Sequence, residues 1–251
     1  MTDAAVAYNS KQVGVLWQVA ELPLPLRTLD PKTPVFASAV ATLQAQHGLP
    51  TDGMLGPTTL HTLCPPKVVN VTEAALALIA TATAEEKKGV REVGKNAGAE
   101  VEKYLHCLGM TKGSPWCAAF VSWCVMTSRG LAKPPKWCSG SAVSLYQVAR
   151  NSKTCVSVTP VDADYKSKVK PGYIWSRAQD DASAAAARKG QWCQGHTGIV
   201  VAVDSIGFHT IEGNTNAAGS REGDGVYRKT HKWSDAAIIG KTVGWFDPAS
   251  V

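Results

Sequence analysis

The chain has 251 residues, of which 45% are hydrophobic and 18% charged, and its formal net charge is +6. This composition is typical of a globular protein and excludes disordered and fibrous classes. Residues 1–66 contain three basic and four acidic side chains, so the positive surplus lies in the rest of the chain, where it suits an anionic partner.

Three features of the whole chain limit where it is made and what it binds. The N-terminal segment MTDAAVAYNS has neither a basic start nor an apolar run, which predicts no signal peptide and synthesis in the cytosol. The richest apolar stretch, AALALIATATA, is too short to cross a bilayer, so we expect no stable membrane insertion. The seven cysteines form no C-x-x-C pair and no H-E-x-x-H occurs, which predicts no metal site.

Residues 1–66 are predicted to form a small three-helix bundle. The first helix carries apolar residues at helical spacing: Val6, Val13, Leu16, Trp17 and Ala20. Four prolines in PLPLRTLDPKTP interrupt it, and the second helix, in VFASAVATLQAQHGL, is closed by Gly48. A turn at Asp52–Gly53 then leads to a last helix that begins at Pro57.

The segment CPPKVVNVTE is predicted to be a linker. Residues 67–251 are predicted to form a second, α+β domain with a core at about 74–246. Thr72 is expected to cap a helix through about Lys87, GAEVEKYLHCLG to form a short helix, and WCAAFVSWCVM a helix buried on all sides. We expect an exposed loop at QDDASAAAARKGQ. Strands are expected at YIWSR, TGIVVAV, GFHTIEG, GVYRKT and IIGKTVGWF.

Cys117 is the first candidate catalytic residue. Ser114 and Pro115 are suited to the N-cap and first position of a helix, which places Cys117 in its first turn. The unpaired backbone N–H groups there stabilise a thiolate and can bind the oxyanion of a tetrahedral intermediate. A cysteine that only fills a buried helix is the competing interpretation.

A predicted hairpin supplies the partner residues. GHTGIVVAVDSIGFHTIEGNT places His196 at the start of one strand and both Glu212 and Asn214 at the end of the next, where either could orient the imidazole. Because the two positions are 16 residues apart, His196 and Glu212 share a face only if the turn has an odd residue count or a bulge intervenes. His209 has the opposite strand parity to Glu212 and is left out of the site.

The order and spacing of these strings resemble the CHAP family, the cysteine, histidine-dependent amidohydrolases/peptidases. The similar segments, spread over about residues 74–246, are GVREVGKNAGAEVEKYL, PWCAAFVSWC, GHTGIV, TIEGN and GSREGDGVYRKT. The resemblance implies a papain-like α+β fold and cleavage of amide bonds, mostly in peptidoglycan. It also implies that Cys117 is the nucleophile, His196 the general base and acid, Glu212 the orienting third member and Asn214 a supporting polar group.

Two departures from the family pattern are visible. Pro171, Gly172 and Tyr173 stand where family members often have Pro-Gly-Asp, which puts any role of an acid there in doubt. No aspartate-rich calcium loop precedes Cys117, and Glu92, Glu100 and Glu102 are interpreted as the solvated face of a helix. We therefore expect no metal and no other cofactor.

The first domain has its own resemblance. VATLQAQHGLPTDGMLGPTTLHTL is similar to the three-helix peptidoglycan-binding domain, through Leu43, Gln44, Gly48, Leu49, Asp52, Gly53, Gly56 and Thr59. Most of these residues are expected to have structural roles, the glycines in turns and the leucines in the core. A small helical bundle with another function is the alternative.

Together these features predict a cysteine-dependent peptidoglycan hydrolase, either an N-acetylmuramoyl-L-alanine amidase or a D,L-endopeptidase, that binds the wall as a monomer. A bacteriophage endolysin, acting in the periplasm or wall after release from the cytoplasm, is favoured over an effector injected into rival bacteria. A wall-binding protein with an inactive catalytic domain is a further alternative. A nucleic-acid binder is disfavoured because the lysines are scattered and no known motif occurs.

Overall fold

The computed structural model describes residues 3–11, 22–63, 71–216 and 223–251. The chain divides into two compact units, Met1–Val68 with Asp204–Ile206, and Val69–Val203 with Gly207–Val251. Three sequence predictions lie outside the described residues. They concern the apolar face after Lys11 in the first helix, the linker at 64–70, and the start of GSREGDGVYRKT.

The described part of the first unit is helical. Its helices are α1 (Asp3–Lys11), α2 (Leu24–Arg27), α3 (Pro34–Gln46) and α4 (Pro57–Leu63). As predicted, the last begins at Pro57, and Gly48 follows the second predicted helix with a φ of 67°, which glycine adopts without strain. The apolar side chains meet in one cluster formed by Leu22, Leu26, Phe36, Val40, Leu55 and Leu63.

Two buried amides hold the loop between α3 and α4. Gln44 Nε2 donates to Asp52 Oδ1 (2.7 Å) and Thr59 Oγ1 (3.0 Å), and Gln44 Oε1 accepts from Gly53 N (2.9 Å). Asn9 Nδ2 donates to Gly53 O, and Asn9 Oδ1 accepts from Leu55 N, each at 2.9 Å. A buried amide is stable only with its polar atoms paired, so this loop has one defined conformation.

The second unit combines helices with an antiparallel sheet, as the predicted α+β class requires. Its helices are α5 (Glu73–Lys88), α6 (Ala99–Cys107), α7 (Cys117–Ser128), α8 (Ala142–Arg150), α9 (Tyr165–Lys168), α10 (Asp181–Arg188) and α11 (Ala236–Lys241). The strands are β1 (Ser157–Val158), β2 (Ile174–Ala178), β3 (Gly195–Val203), β4 (Gly207–Thr215), β5 (Gly225–Lys232) and β6 (Thr242–Phe246), in spatial order β1-β6-β2-β3-β4-β5.

The predicted cap of α5 is confirmed, because Thr72 Oγ1 accepts from Ala75 N at 3.2 Å. Helix α7 is buried at eight of its twelve positions, in agreement with a sequence that is apolar on all sides. It packs against β3 and β4 and belongs to a large core on one face of the sheet. The other face carries a second cluster, which contains Trp175, Phe208, Trp233 and Trp245.

Two predictions of local structure are wrong. The alanine-rich segment expected to be a loop forms α10, since alanine is the best helix former and Asp180 Oδ1 accepts from Ser183 N at 2.7 Å. The last predicted strand begins late, because Asp235 accepts from Ala237 N and Ile238 N and starts α11. Only Thr242–Phe246 of that segment is a strand.

Candidate active site

Cys117 is the first residue of α7, and Trp116 is the N-cap. The predicted cap at Ser114 and Pro115 is therefore two residues too early, although Cys117 does lie in the first turn. Trp116 O accepts from Phe120 N at 2.8 Å, whereas Trp116 makes no side-chain capping bond to the helix. The first N–H groups of a helix have no partner inside it, so this end of α7 can stabilise negative charge beside the Cys117 sulfur.

Several residues hold Trp116 in place. Its ring stacks on Tyr104 with centroids 5.6 Å apart, and Trp116 Nε1 donates to Glu92 Oε1 at 2.8 Å. Glu92 Oε2 accepts from Asn96 N at 2.8 Å. The interpretation of Glu92 as part of a solvated helix face is thus wrong, because Glu92 precedes α6 and anchors the residue before Cys117.

The hairpin of β3 and β4 meets the parity condition through a bulge. Val203 pairs with Phe208, so the four residues 204–207 lie between the last paired positions, and this even number alone would put His196 and Glu212 on opposite faces. The register then shifts between Val200 and Ala202, leaving one extra residue in β3. A shift of one residue moves the following side chains of a strand to the opposite face of the sheet. The bulge therefore returns His196 and Glu212 to the same face.

His196 and Glu212 form a buried pair. His196 Nε2 lies 2.8 Å from Glu212 Oε2, and both side chains are at least 97% buried. Gly198 lies two residues after His196 on β3, and a Cβ on Gly198 would come within 2.6 Å of Glu212 Cγ. Glycine at this position therefore leaves the space that the Glu212 side chain occupies.

The electrostatics connect Glu212, His196 and Cys117. Burial disfavours a charged imidazole, but hydrogen bonding with Cys117 and with Glu212 outweighs it and raises the pKa of His196 to about 9. Burial also opposes ionisation of Glu212, yet the bonds from His196 and His231 bring the pKa of this carboxyl well below its usual value. His196 Nδ1 is buried without a hydrogen bond of normal geometry, and Nε2 is engaged by Glu212. Nδ1 is therefore the ring nitrogen available to the thiol.

Asn214 lies elsewhere in the site. With its amide oriented to suit its neighbours, the oxygen accepts from Trp116 N at 3.2 Å, and the nitrogen donates to Gly223 O (2.9 Å) and Asn96 Oδ1 (3.2 Å). Its φ of 54° is a left-handed conformation that asparagine tolerates better than most residues. Asn214 thus contacts Trp116, the residue before Cys117, whereas Glu212 contacts the His196 imidazole.

The sequence analysis missed two residues that contact Glu212. His231 Nε2 lies 2.7 Å from Glu212 Oε1, and Thr210 Oγ1 donates to the same oxygen. Thr210 shares the strand parity of Glu212, which could have indicated it. The predicted strand GVYRKT ended one residue before His231, and the register of β5 against β4 could not be derived from the sequence because a long connection joins these strands.

No group of three or more histidine, cysteine or acidic side chains within the described ranges could hold a metal ion. The six cysteines that these ranges include are all free thiols. No helix in the described part of the chain has the length and apolar character needed to cross a membrane.

Part of the chain matches a known protein family. Residues 109–214 match the sequence model of the family described as CHAP domain. No curated protein and no solved structure matches the chain. The matched segment covers less than half of the chain but contains Cys117, His196, Glu212 and Asn214, as well as Trp116 and Thr210. The part of this protein that carries the candidate active site is therefore similar to the CHAP domain, a domain of cysteine- and histidine-dependent amidohydrolases and peptidases.

Proposed function

We propose that this protein is a peptidoglycan hydrolase that cleaves an amide bond of the wall peptide with Cys117 as its nucleophile. The observation that carries the proposal is the line of contacts from Glu212 through His196 to Cys117 at the start of α7. A nucleophile beside a base that a third group orients is the arrangement of enzymes that transfer acyl groups. The CHAP domain match over the same residues supports peptidoglycan as the substrate class.

In the first half of the reaction, the Cys117 thiolate attacks the carbonyl carbon of the peptide bond. Its electron pair forms the C–S bond, and the carbonyl oxygen becomes an oxyanion that the free N–H groups at the start of α7 can bind. His196, whose pKa is raised to about 9, holds a proton at neutral pH. It gives this proton to the leaving amine as the C–N bond breaks, and a thioester on Cys117 remains.

In the second half, the now neutral His196 removes a proton from water, and the hydroxide attacks the thioester carbonyl. The C–S bond breaks, the thiolate of Cys117 returns, and the wall fragment leaves as a carboxylic acid. Glu212 keeps its negative charge throughout, because the hydrogen bonds from both histidines lower its pKa. Its role in this scheme is to hold the ring and to stabilise the imidazolium.

We propose in addition that residues 1–66 bind the wall. The residues that resemble the peptidoglycan-binding domain include Gln44, Asp52, Gly53 and Thr59, which form one hydrogen-bonded loop. Binding would keep the catalytic unit close to an insoluble substrate and raise its local concentration. The basic character of the remaining chain supports attraction to an acidic polymer.

The biological setting that we favour is a bacteriophage endolysin, made in the host cytoplasm and acting in the periplasm or wall after release. An effector injected into a rival bacterium would use the same chemistry. The gene neighbourhood separates these two settings, because a holin gene accompanies an endolysin, whereas an immunity or secretion gene accompanies an effector.

Digestion of purified peptidoglycan tests the chemistry. We expect the wild-type protein to release fragments with new amino termini, which mass spectrometry assigns either to the L-alanine attached to muramic acid, for an amidase, or to a residue within the stem, for an endopeptidase. Cys117→Ala should lower the rate by at least about 1,000-fold, since the nucleophile and its thioester are lost.

Cys155→Ala is the matched control, because Cys155 is a partly buried free thiol outside the site. It should keep wild-type activity. New reducing sugars without new amino termini would contradict cleavage of the peptide. Wall binding by the wild-type protein without any product would instead support the inactive wall-binding alternative.

A further inference from the structure

Glu212 is shared by two buried histidines. Its Oε2 pairs with His196 Nε2 at 2.8 Å, and its Oε1 pairs with His231 Nε2 at 2.7 Å. Thr210 Oγ1 donates to Oε1 and also lies 3.1 Å from His231 Nε2. The scheme proposed above uses His196 and Glu212 but assigns nothing to His231.

The His231 ring is tightly held by its surroundings. His231 pairs directly with Phe208 across β4 and β5, and its ring centroid lies 4.9 Å from the Phe208 ring and 4.4 Å from the Trp175 ring. The two planes are tilted against it by 34° and 38°. A Cβ on Gly207 would come within 2.1 Å of His231 O, so the close approach of the two strands here depends on glycine. The Phe208 and Trp175 rings therefore restrict the imidazole and keep its Nε2 directed towards Glu212.

This arrangement restricts the orientation of the Glu212 carboxylate. The outermost torsion of a glutamate side chain has broad minima, so a carboxylate bonded through one oxygen alone can rotate. Here His231 and Thr210 hold Oε1, which leaves Oε2 directed at His196. The orientation of the carboxylate sets the plane of the His196 ring and thus the direction of Nδ1, which is the nitrogen available to Cys117.

We propose that His231 is a positioning residue for the reaction, acting through Glu212 to orient His196 towards Cys117. This inference rests on the proposed function for its effect on turnover. The line of contacts then has four members, Cys117, His196, Glu212 and His231. Only Cys117 bonds covalently to the substrate, and only His196 transfers protons in the reaction. The competing interpretation is that His231 only fills space and pairs a buried carboxylate, in which case its loss would affect stability without affecting chemistry.

Three substitutions distinguish the two interpretations. His231→Leu removes the donor, His231→Asn keeps an amide that is too short to reach Glu212 Oε1, and His231→Gln places an amide nitrogen near the position of the imidazole Nε2. The matched control is His209→Gln, because His209 lies on β4 opposite Thr230 of β5, and its Nδ1 bonds to Thr230 Oγ1 rather than to Glu212.

Two rates are measured on the full-length chain for each variant. The first is turnover of peptidoglycan, separated into kcat and KM. The second is the rate at which iodoacetamide alkylates Cys117, followed by mass spectrometry of the peptide that contains it. Alkylation reports the thiolate–imidazolium pair without any wall substrate, so it tests the positioning role even if the proposed substrate is wrong.

We expect His231→Leu and His231→Asn to lower both kcat and the alkylation rate by about tenfold or more, with KM within about twofold, as the loss of a positioning partner does. His231→Gln should recover most of both rates, and His209→Gln should match the wild type. Should His231→Leu fail to fold, the difference between His231→Asn and His231→Gln carries the test. Equal rates in all folded variants, whether or not their melting temperatures fall, would overturn the proposal.

Discussion

At the scale of single residues, the candidate site places the proposed nucleophile beside a buried histidine–glutamate pair. The thiol of Cys117 lies at the positive end of α7, and the His196–Glu212 pair adds an imidazole whose pKa is raised to about 9. Burial alone would lower that pKa, so the opposite shift means that Cys117 and Glu212 together favour the protonated ring. In the proposed reaction, this shift keeps a proton on His196 at neutral pH for transfer to the leaving amine.

Glu212→Gln tests whether the charge of Glu212 raises the pKa of His196. Glutamine keeps the shape and one acceptor but removes the negative charge, so the pKa of His196 should fall. Since the proposed reaction needs protonated His196, the alkaline limb of kcat/KM should move to lower pH, and kcat at neutral pH should fall by about 100-fold. A pH–rate profile measured from pH 5 to 10 checks both effects.

The control for this substitution is Glu86→Gln, since Glu86 pairs with Arg228 near the surface and not with the site. Its alkaline limb should match that of the wild type. An unchanged alkaline limb in Glu212→Gln would show that Glu212 does not hold the charge of His196.

At the scale of elements, the site depends on how closely β4 approaches α7. A Cβ on Gly213 would lie 2.7 Å from both Phe120 Cβ and Trp116 Cζ3, so strand and helix meet where only glycine fits. Gly213 lies between Glu212, which holds His196, and Asn214, which binds Trp116. This contact therefore sets the position of the His196 imidazole relative to the start of α7.

Gly213→Ala should separate β4 from α7. We expect a loss of about 1–3 kcal/mol in the free energy of unfolding, as overpacking of a buried contact produces, together with a fall in kcat. Urea denaturation and turnover of peptidoglycan measure the two effects. Gly56→Ala serves as the control for the loss of stability alone, since its nearest contact is an ordinary one of 3.5 Å to Tyr8 Oη. Stability and turnover equal to the wild type in Gly213→Ala would contradict a tight contact.

At the scale of the whole molecule, the two units have separate cores and different proposed tasks. The first unit is small, and its loop between α3 and α4 depends on the buried Gln44 and Asn9 amides. The second unit contains every residue of the candidate active site. Damage confined to the first unit should therefore affect attack on the intact wall more than the chemical step.

Gln44→Leu tests this division of tasks. It removes a side chain that bonds to Asp52, Gly53 and Thr59, and should destabilise the first unit by about 2–4 kcal/mol because several buried partners are left unpaired. We expect less cosedimentation with insoluble peptidoglycan and slower wall digestion, but unchanged turnover of soluble muropeptides. Gln147→Leu, a change in the second unit outside the site, is the matched control for binding. Unchanged cosedimentation in a Gln44→Leu protein whose first unit is shown to be unfolded would contradict wall binding by that unit.

Much of the fold could be predicted because its signals are local. Thr72 caps α5, Pro57 begins α4, and the apolar run after Cys117 forms a buried helix. The secondary-structure predictions were wrong where one segment carried signals for two kinds of structure. The alanine run of α10 was interpreted as low complexity, and Ile238–Lys241 as a strand, although Asp180 and Asp235 cap helices at those places.

By itself, the sequence determined the candidate nucleophile, the candidate histidine with its acidic neighbour, and the condition of parity between them. Only the tertiary structure decided that a bulge after Val200 meets this condition, that Asn214 holds Trp116, and that Glu92 and His231 belong to the site. The physical reason is that helix caps and alternation depend on residues adjacent in the chain. Strand register and side-chain pairing across the sheet depend instead on how distant segments share one core.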